Sequence, residues 1–141
     1  MPLHYAAARG SLEIVRLLLE HDAEAYSRGE DGQTPMHFVF FHARPKGDYP
    51  QIGTLLLEHG ANPNARDNKR RTPLHLLSLR QYEIFSSEQP IQSWRLEVAR
   101  ILLVHGADVD AEDGEGRTPM QVAVENGQAE LVHLLSEYCF K

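Results

Sequence analysis

One four-residue phrase returns four times along the chain with small changes. It reads Met1-Pro2-Leu3-His4, then Thr34-Pro35-Met36-His37, then Thr72-Pro73-Leu74-His75, then Thr118-Pro119-Met120-Gln121. A chain built from copies of one small unit cannot bury its apolar surface inside a single copy. The copies therefore stack into a solenoid, and solenoids present an extended surface to a partner. The steps between the four prolines are 33, 38 and 46 residues. A second phrase confirms the register: Leu17-Leu18-Leu19-Glu20-His21-Asp22-Ala23, Leu55-Leu56-Leu57-Glu58-His59-Gly60-Ala61 and Ile101-Leu102-Leu103-Val104-His105-Gly106-Ala107, with a degenerate copy from Leu134 to Tyr138. It begins 15 residues after the proline in units one and four, 20 after it in unit two and 28 after it in unit three. The extra 5 and 13 residues thus lie inside units two and three, between the phrases.

Each unit reads as a pair of helices. Thr34 and Thr72 suit the N-cap, where a hydroxyl can accept from an otherwise unpaired backbone N–H. The proline that follows suits the first helical turn. In unit one the spacing predicts a helix from Pro2 to Arg9, stopped by Gly10 in the left-handed conformation. A second helix begins at Leu12 and is so apolar that burial on more than one side is expected. In units two and three it is closed by His59-Gly60-Ala61 and His105-Gly106-Ala107. Polar turn residues follow, such as Asp113-Gly114-Glu115-Gly116-Arg117. Three slots depart from the pattern. Gly53 stands inside a helix where other units carry Val15, Ala99 and Val132; Arg70 stands where Gly32 and Gly116 occur; Asp22 stands where Gly60 and Gly106 occur.

The Thr-Pro-Leu-His phrase, the Leu-Leu-Leu-x-x-Gly-Ala phrase and the 33-residue step together resemble the ankyrin repeat. Tetratricopeptide repeats are close in length but lack the Thr-Pro start and the Gly-Ala stop. The resemblance covers nearly the whole chain. It implies an all-α ankyrin-repeat solenoid of stacked antiparallel helix pairs with projecting β-hairpin-like fingers. The units would run over 1–33, 34–71, 72–117 and 118–141 of a single domain.

Size and composition narrow the class. A compact chain of 141 residues buries about 70% of its unfolded surface. The single cysteine, Cys139, precludes an internal disulfide. No apolar run is long enough for a membrane span, and the start has no pattern of a signal peptide, so a cytoplasmic or nuclear setting and no membrane partner are expected. Net charge is −6, which argues against nucleic acid as a partner. The charge is uneven: residues 66–100 carry net +3 and residues 101–141 net −6. The poor cap at the first unit leaves two expectations open, a small stand-alone monomer or a piece of a longer array.

Eight histidines invite a metal or catalytic reading. Their register argues for architecture instead. His4, His37 and His75 share one slot and are expected to bond within and between repeats; His21, His59 and His105 share another, at helix C-termini where imidazole meets free carbonyls. The acidic run from Asp108 to Asp113 fails as a calcium loop, because its sixth position is Asp113 and its twelfth Pro119. No phosphate-binding glycine loop or nucleophile elbow is present, and no catalytic residue, metal or cofactor is expected.

The resemblance places a concave binding face at the finger tips and at the exposed end of each first helix. Mapped onto this chain, the face offers Arg28, Glu30, Asp31 and Gln33 from the first finger, Arg66, Asn68, Lys69 and Arg71 from the middle one, with Arg70 in the usual glycine slot, and Glu112, Glu115 and Arg117 from the next. Phe41, His42, Leu79 and Arg80 come from the helix ends. An apolar centre ringed by charge is a usual form of protein-binding surface. The expected function is a non-enzymatic module that binds a protein or peptide there. A second reading makes the aromatic insertions of units two and three a small-molecule pocket or an unusual active site. Phe38, Tyr49, Tyr82, Phe85 and Trp94 would line it, with His42 and Asp48 as polar members. A third makes the chain a fragment of a larger multidomain ankyrin protein.

Overall fold

The structure, a computed structural model, describes residues 2–39, 48–79 and 93–139. The two phrases become two helices per unit. Unit one holds α1 (Pro2–Arg9) and α2 (Leu12–Glu20), unit two α3 (Pro35–Phe38) and α4 (Tyr49–Glu58), unit three α5 (Pro73–Ser78) and α6 (Ser93–Val104), and unit four α7 (Pro119–Glu125) and α8 (Ala129–Cys139). No strand occurs among the described residues. The first helices stack in one row, α1 on α3 on α5 on α7, and the second helices in another, α2 on α4 on α6 on α8. The result is the expected all-α solenoid: two layers around one continuous apolar seam.

The seam follows from the register. Val15, Ile52, Leu56, Val98, Leu102, Leu131 and Leu135 bury fully from the outer row; Leu3, Met36, Leu74, Leu77 and Ala123 meet them from the inner one. Thr72 and Thr118 each accept from the backbone N–H three residues on, and the side chain there returns a bond to the threonine N–H. This reciprocal cap needs the Thr-Pro-x-x-His or Thr-Pro-x-x-Gln phrase, so the repeated motif is the helix start signal itself. At the other ends Gly10, Gly60 and Gly106 take positive φ of 74°, 95° and 94°, as helix-terminating glycines do. Asp22 holds the slot of Gly60 and Gly106 at φ 67° with a side chain that disfavours it.

One expectation is corrected. α2 is not buried on more than one side: Val15 and Leu19 are buried, while Ile14 and Leu17 are exposed. Among the described residues α2 packs on α1 and α4, and nothing lies over its other flank. Asp48 stands at the N-cap of α4, but its carboxylate makes no capping bond. Its backbone N–H instead donates to the Gly10 carbonyl of unit one, 3.2 Å away. The proposed ends of the first helices at Phe41, His42 and Arg80, and the loop with Tyr82 and Phe85, lie outside the described residues.

Candidate interaction face

The fingers are built on buried carboxylates. Asp67 Oδ1 accepts from the backbone N–H of Lys69 and of Arg71, both at 2.9 Å, and Oδ2 accepts from Arg71 Nε at 2.9 Å. Asp113 repeats the arrangement with Glu115 and Arg117 at 2.9, 3.0 and 3.3 Å. Backbone bonds between Asp67 and Arg71, and between Asp113 and Arg117, close each finger into a tight loop. Burial alone would raise both carboxyl pKa values. The N–H donors and the arginine overcome it, and both groups are held below the ordinary range. Unit one carries Gly29 in this slot and has no such clamp; its finger turns through a 3₁₀ segment over Glu30–Gly32.

Neighbouring fingers are tied in register by backbone. Asn68 N–H donates to the Asp31 carbonyl, and Gly114 N–H to the Lys69 carbonyl, both at 2.9 Å. The tip residue of each finger is left-handed: Gly32, Arg70 and Gly116 have φ of 70°, 63° and 76°. Arg70 adopts the conformation without glycine's freedom and stands exposed.

Behind the fingers run the buried histidines. The Thr34 N–H donates to His37 Nδ1, and His37 Nε2 donates to the Arg71 carbonyl at 2.9 Å. The Thr72 N–H donates to His75 Nδ1, and His75 Nε2 donates to the Arg117 carbonyl at 2.8 Å. His4 Nε2 reaches the Gln33 carbonyl at 3.0 Å, while its Nδ1 is buried with no partner. These bonds require the neutral Nε2–H tautomer, and burial pushes the pKa of all three rings down. The other histidine slot closes outer helices: His21, His59 and His105 each donate from Nδ1 to the carbonyl four residues back, at 2.9, 2.9 and 2.8 Å. Among the described residues no group of three or more His, Cys, Asp or Glu could hold a metal ion.

The candidate residues now divide. Asn68 and Lys69 are exposed and Arg66 half-buried on the middle finger; Glu112 and Glu115 are exposed on the next. Arg71 spends its guanidinium on Asp67, 2.9 Å away. Arg117 bridges Asp113, Glu115 and Glu125 at 3.3, 3.4 and 2.9 Å, so its charge is already engaged and the finger stays net acidic. Leu79 is half-buried against the core, and its carbonyl accepts from Arg95. Arg28 and Arg70 complete the basic group. Arg28 donates to the Arg66 carbonyl across the finger gap at 3.0 Å, and Arg70 stands at the tip. The register carries the signal for Arg28, because it fills the slot of Arg66.

Of the aromatic candidates, Phe38 is half-buried, edge-on to His4 with ring centres 5.1 Å apart. Tyr49 is fully buried, and its hydroxyl donates to the Ala8 carbonyl at 3.1 Å, which ties unit two to unit one. Trp94 lies in α6, with its side chain outside the described residues. No helix among the described residues is long and apolar enough to cross a membrane.

Comparison with known proteins agrees with this architecture. The family model for ankyrin repeats (3 copies) matches residues 1–67 and 91–141. A stretch of 35 residues, 25% of this chain, is 57% identical to Tyrosine-protein kinase HTK16 of Hydra vulgaris and covers 5% of that protein. The match to that relative is thus about one repeat long.

Proposed function

The chain belongs to the ankyrin-repeat family, whose repeats generally mediate protein–protein interaction, and from that premise we propose that it is a non-enzymatic module binding a protein or peptide across its finger face. The observation that supports this reading is the basic group on the middle finger, joined by Arg28 from the first, whose own tip carries Glu30 and Asp31. Arg28, Arg66, Lys69 and Arg70 converge there, and none of them makes an ion pair among the described residues. The clamps and the finger-to-finger backbone bonds hold that group in place before a partner arrives, which lowers the ordering cost of binding. A partner with an acidic segment, followed by a basic one toward Glu112, would match the sequence of charge along the fingers.

The experiment is a comparison of three baits in affinity capture, followed by binding kinetics on each recovered partner. The baits are the wild-type chain, the triple variant Arg66→Glu, Lys69→Glu, Arg70→Glu, and an outer-helix control, Arg16→Glu with Arg100→Glu. Arg71 is left intact because its loss would open the finger. A partner of this face should associate more slowly with the triple variant and show a flatter salt dependence, with the control unchanged. Equal association rates for all three baits would reject the face.

A further inference from the structure

The register sorts the finger charges into two rows. Counted back from each Thr-Pro start, Asp31, Lys69 and Glu115 fill one slot near the tips, and Arg28, Arg66 and Glu112 fill one slot at the bases. Arg66 is half-buried and the other five are exposed. The tip row reads negative, positive, negative; Glu30 and Arg70, next to it, reinforce its first two signs. The base row reads positive, positive, negative.

The cationic zone is therefore narrow. Glu30 and Asp31 bound it at the first tip, and Glu112 and Glu115 bound it on the third finger. Arg117 offsets only part of that second boundary, because Asp113, Glu115 and Glu125 share it. Successive fingers are spaced like the stacked helices that carry them, about 8–10 Å apart. An extended peptide rises about 3.3 Å per residue, so about three of its residues cross one finger. Its side chains alternate between faces, so only one or two of them meet the cations. A longer run of carboxylates would lie over like charges on both sides and be repelled.

The cations are also drawn to one place. Arg28 Nη1 donates to the Arg66 carbonyl at 3.0 Å, which sets its guanidinium beside the middle finger. That bond uses one N–H and leaves the rest of the fork for a ligand. The Asp67 clamp fixes the loop that carries Lys69 and Arg70. A single carboxylate brings one charge to this group. A phosphoryl group brings a charge of about −1.5 to −2, with three acceptor oxygens, in the space of one side chain. Guanidinium groups match those oxygens in bidentate geometry.

We propose that the partner segment carries one phosphorylated side chain, received by Arg28 and Arg66, with basic residues on both sides of it that meet Glu30 and Asp31 on one finger and Glu112 on another. This assignment rests on the finger face as the binding surface and adds the chemistry and the length of the anion. The face then reads a modification state of the partner rather than its overall acidity.

The test titrates the isotope-labelled chain at low salt with three peptides of equal length, each to millimolar concentration. One carries a phosphoserine between lysines, the second has serine in its place, and the third is a run of glutamates. Inorganic phosphate is titrated alongside. The phosphoserine peptide should shift the amides of residues 66–70. It should bind at least about ten-fold tighter than the serine peptide, the gain from one bond to a charged group, and tighter than the glutamate run. Arg28→Gln and Arg66→Gln should each bring the phosphoserine-to-serine ratio close to one, and Arg100→Gln on α6 should leave it unchanged. Amide spectra outside the fingers check that the variants keep the stack. Equal affinity for the phosphoserine and serine peptides would overturn the proposal. So would tighter binding of the glutamate run, or no shift with any peptide. Inorganic phosphate acting at the same concentration as the phosphoserine peptide would reduce the site to general anion attraction and overturn it too. After any such result, a captured partner that still discriminates the triple variant keeps the finger face and removes the phosphoryl group alone. A partner indifferent to the triple variant removes both.

Discussion

Single residues in this repeat are judged best against their own register. Gly53 lies buried in α4, where its counterparts are valine or alanine. A methyl group built there would meet Val98 Cγ1 at 3.9 Å, an ordinary van der Waals contact. Glycine in that place costs backbone entropy and leaves contact unmade. Gly53→Ala is therefore expected to stabilise the chain by roughly 0.5–1 kcal/mol, read as a higher urea midpoint at unchanged slope. A lower midpoint would mean that α4 and α6 must separate to admit the methyl. Gly32 makes the opposite case. Its φ is 70° and an added Cβ would fall 2.5 Å from Asn68 Oδ1, so the first finger depends on glycine. That difference was not legible in the sequence, where the two glycines differ only by slot. The neighbour that decides each one is in the next unit, 45 and 36 residues away.

Among the elements, the finger shows how one side chain organises a loop. The Asp67 carboxylate is buried and takes three donors, two of them backbone N–H groups of its own loop. Asp67→Ala would leave those donors without their acceptor and free Arg71 from its partner. A loss of about 2 kcal/mol is expected, since hydrogen bonds to a charged group contribute about 1.5–3 kcal/mol. Urea denaturation measures it, and a loss under a few tenths of a kcal/mol would show that water replaces the carboxylate. Unit one is a natural control, because with Gly29 in the same slot the loop still closes by a backbone bond from Gly29 N–H to the Gln33 carbonyl at 2.8 Å, now without the side-chain clamp. The turn chemistry of the fingers was readable from Asp-Gly-Glu-Gly-Arg, but the cost to Arg71 and Arg117 as binding groups was not. A sequence displays an arginine as a charge. Only the fold shows that the charge is already engaged.

At the scale of the molecule, His4, His37 and His75 form a line of ties from each first helix to the finger that follows it. All three are held neutral in the fold by burial, with pKa values below the ordinary 6.5. The unfolded chain takes up protons first as pH falls through about 6.5, so it gains on the folded state. Stability should be full above that pH and fall progressively below it, as the pH approaches the lowered folded values. Asp67 and Asp113 add a second loss at lower pH, where the unfolded carboxyls protonate before the folded ones. Melting temperature measured between pH 7.5 and pH 5.5 is expected to drop. His75→Gln should flatten that drop, because Gln121 shows that glutamine can fill the slot and accept from the threonine N–H without titrating. The same variant should cost about 1 kcal/mol at pH 7.5 for the lost bond to the Arg117 carbonyl. An unchanged pH profile would mean that His75 takes up protons equally in the folded and unfolded chains.

What the sequence determined by itself is everything set by local chemistry at a fixed spacing. Thr-Pro-x-x-His specifies a helix start through a cap that closes within four residues, and His-Gly-Ala specifies a stop through a left-handed glycine. Repetition of both phrases in one register specifies the stack. What the tertiary structure decided is everything that depends on a neighbouring unit. Ile14 and Ile52 are the same residue in the same slot of the same kind of helix, yet one is exposed and the other fully buried. Arg66 and Arg71 are the same residue in one finger, yet Arg71 is engaged by Asp67 and Arg66 is in no ion pair among the described residues. Burial and charge pairing are properties of what lies across a contact, and that partner is drawn from another unit or another turn of the loop rather than from the adjacent letters of the chain.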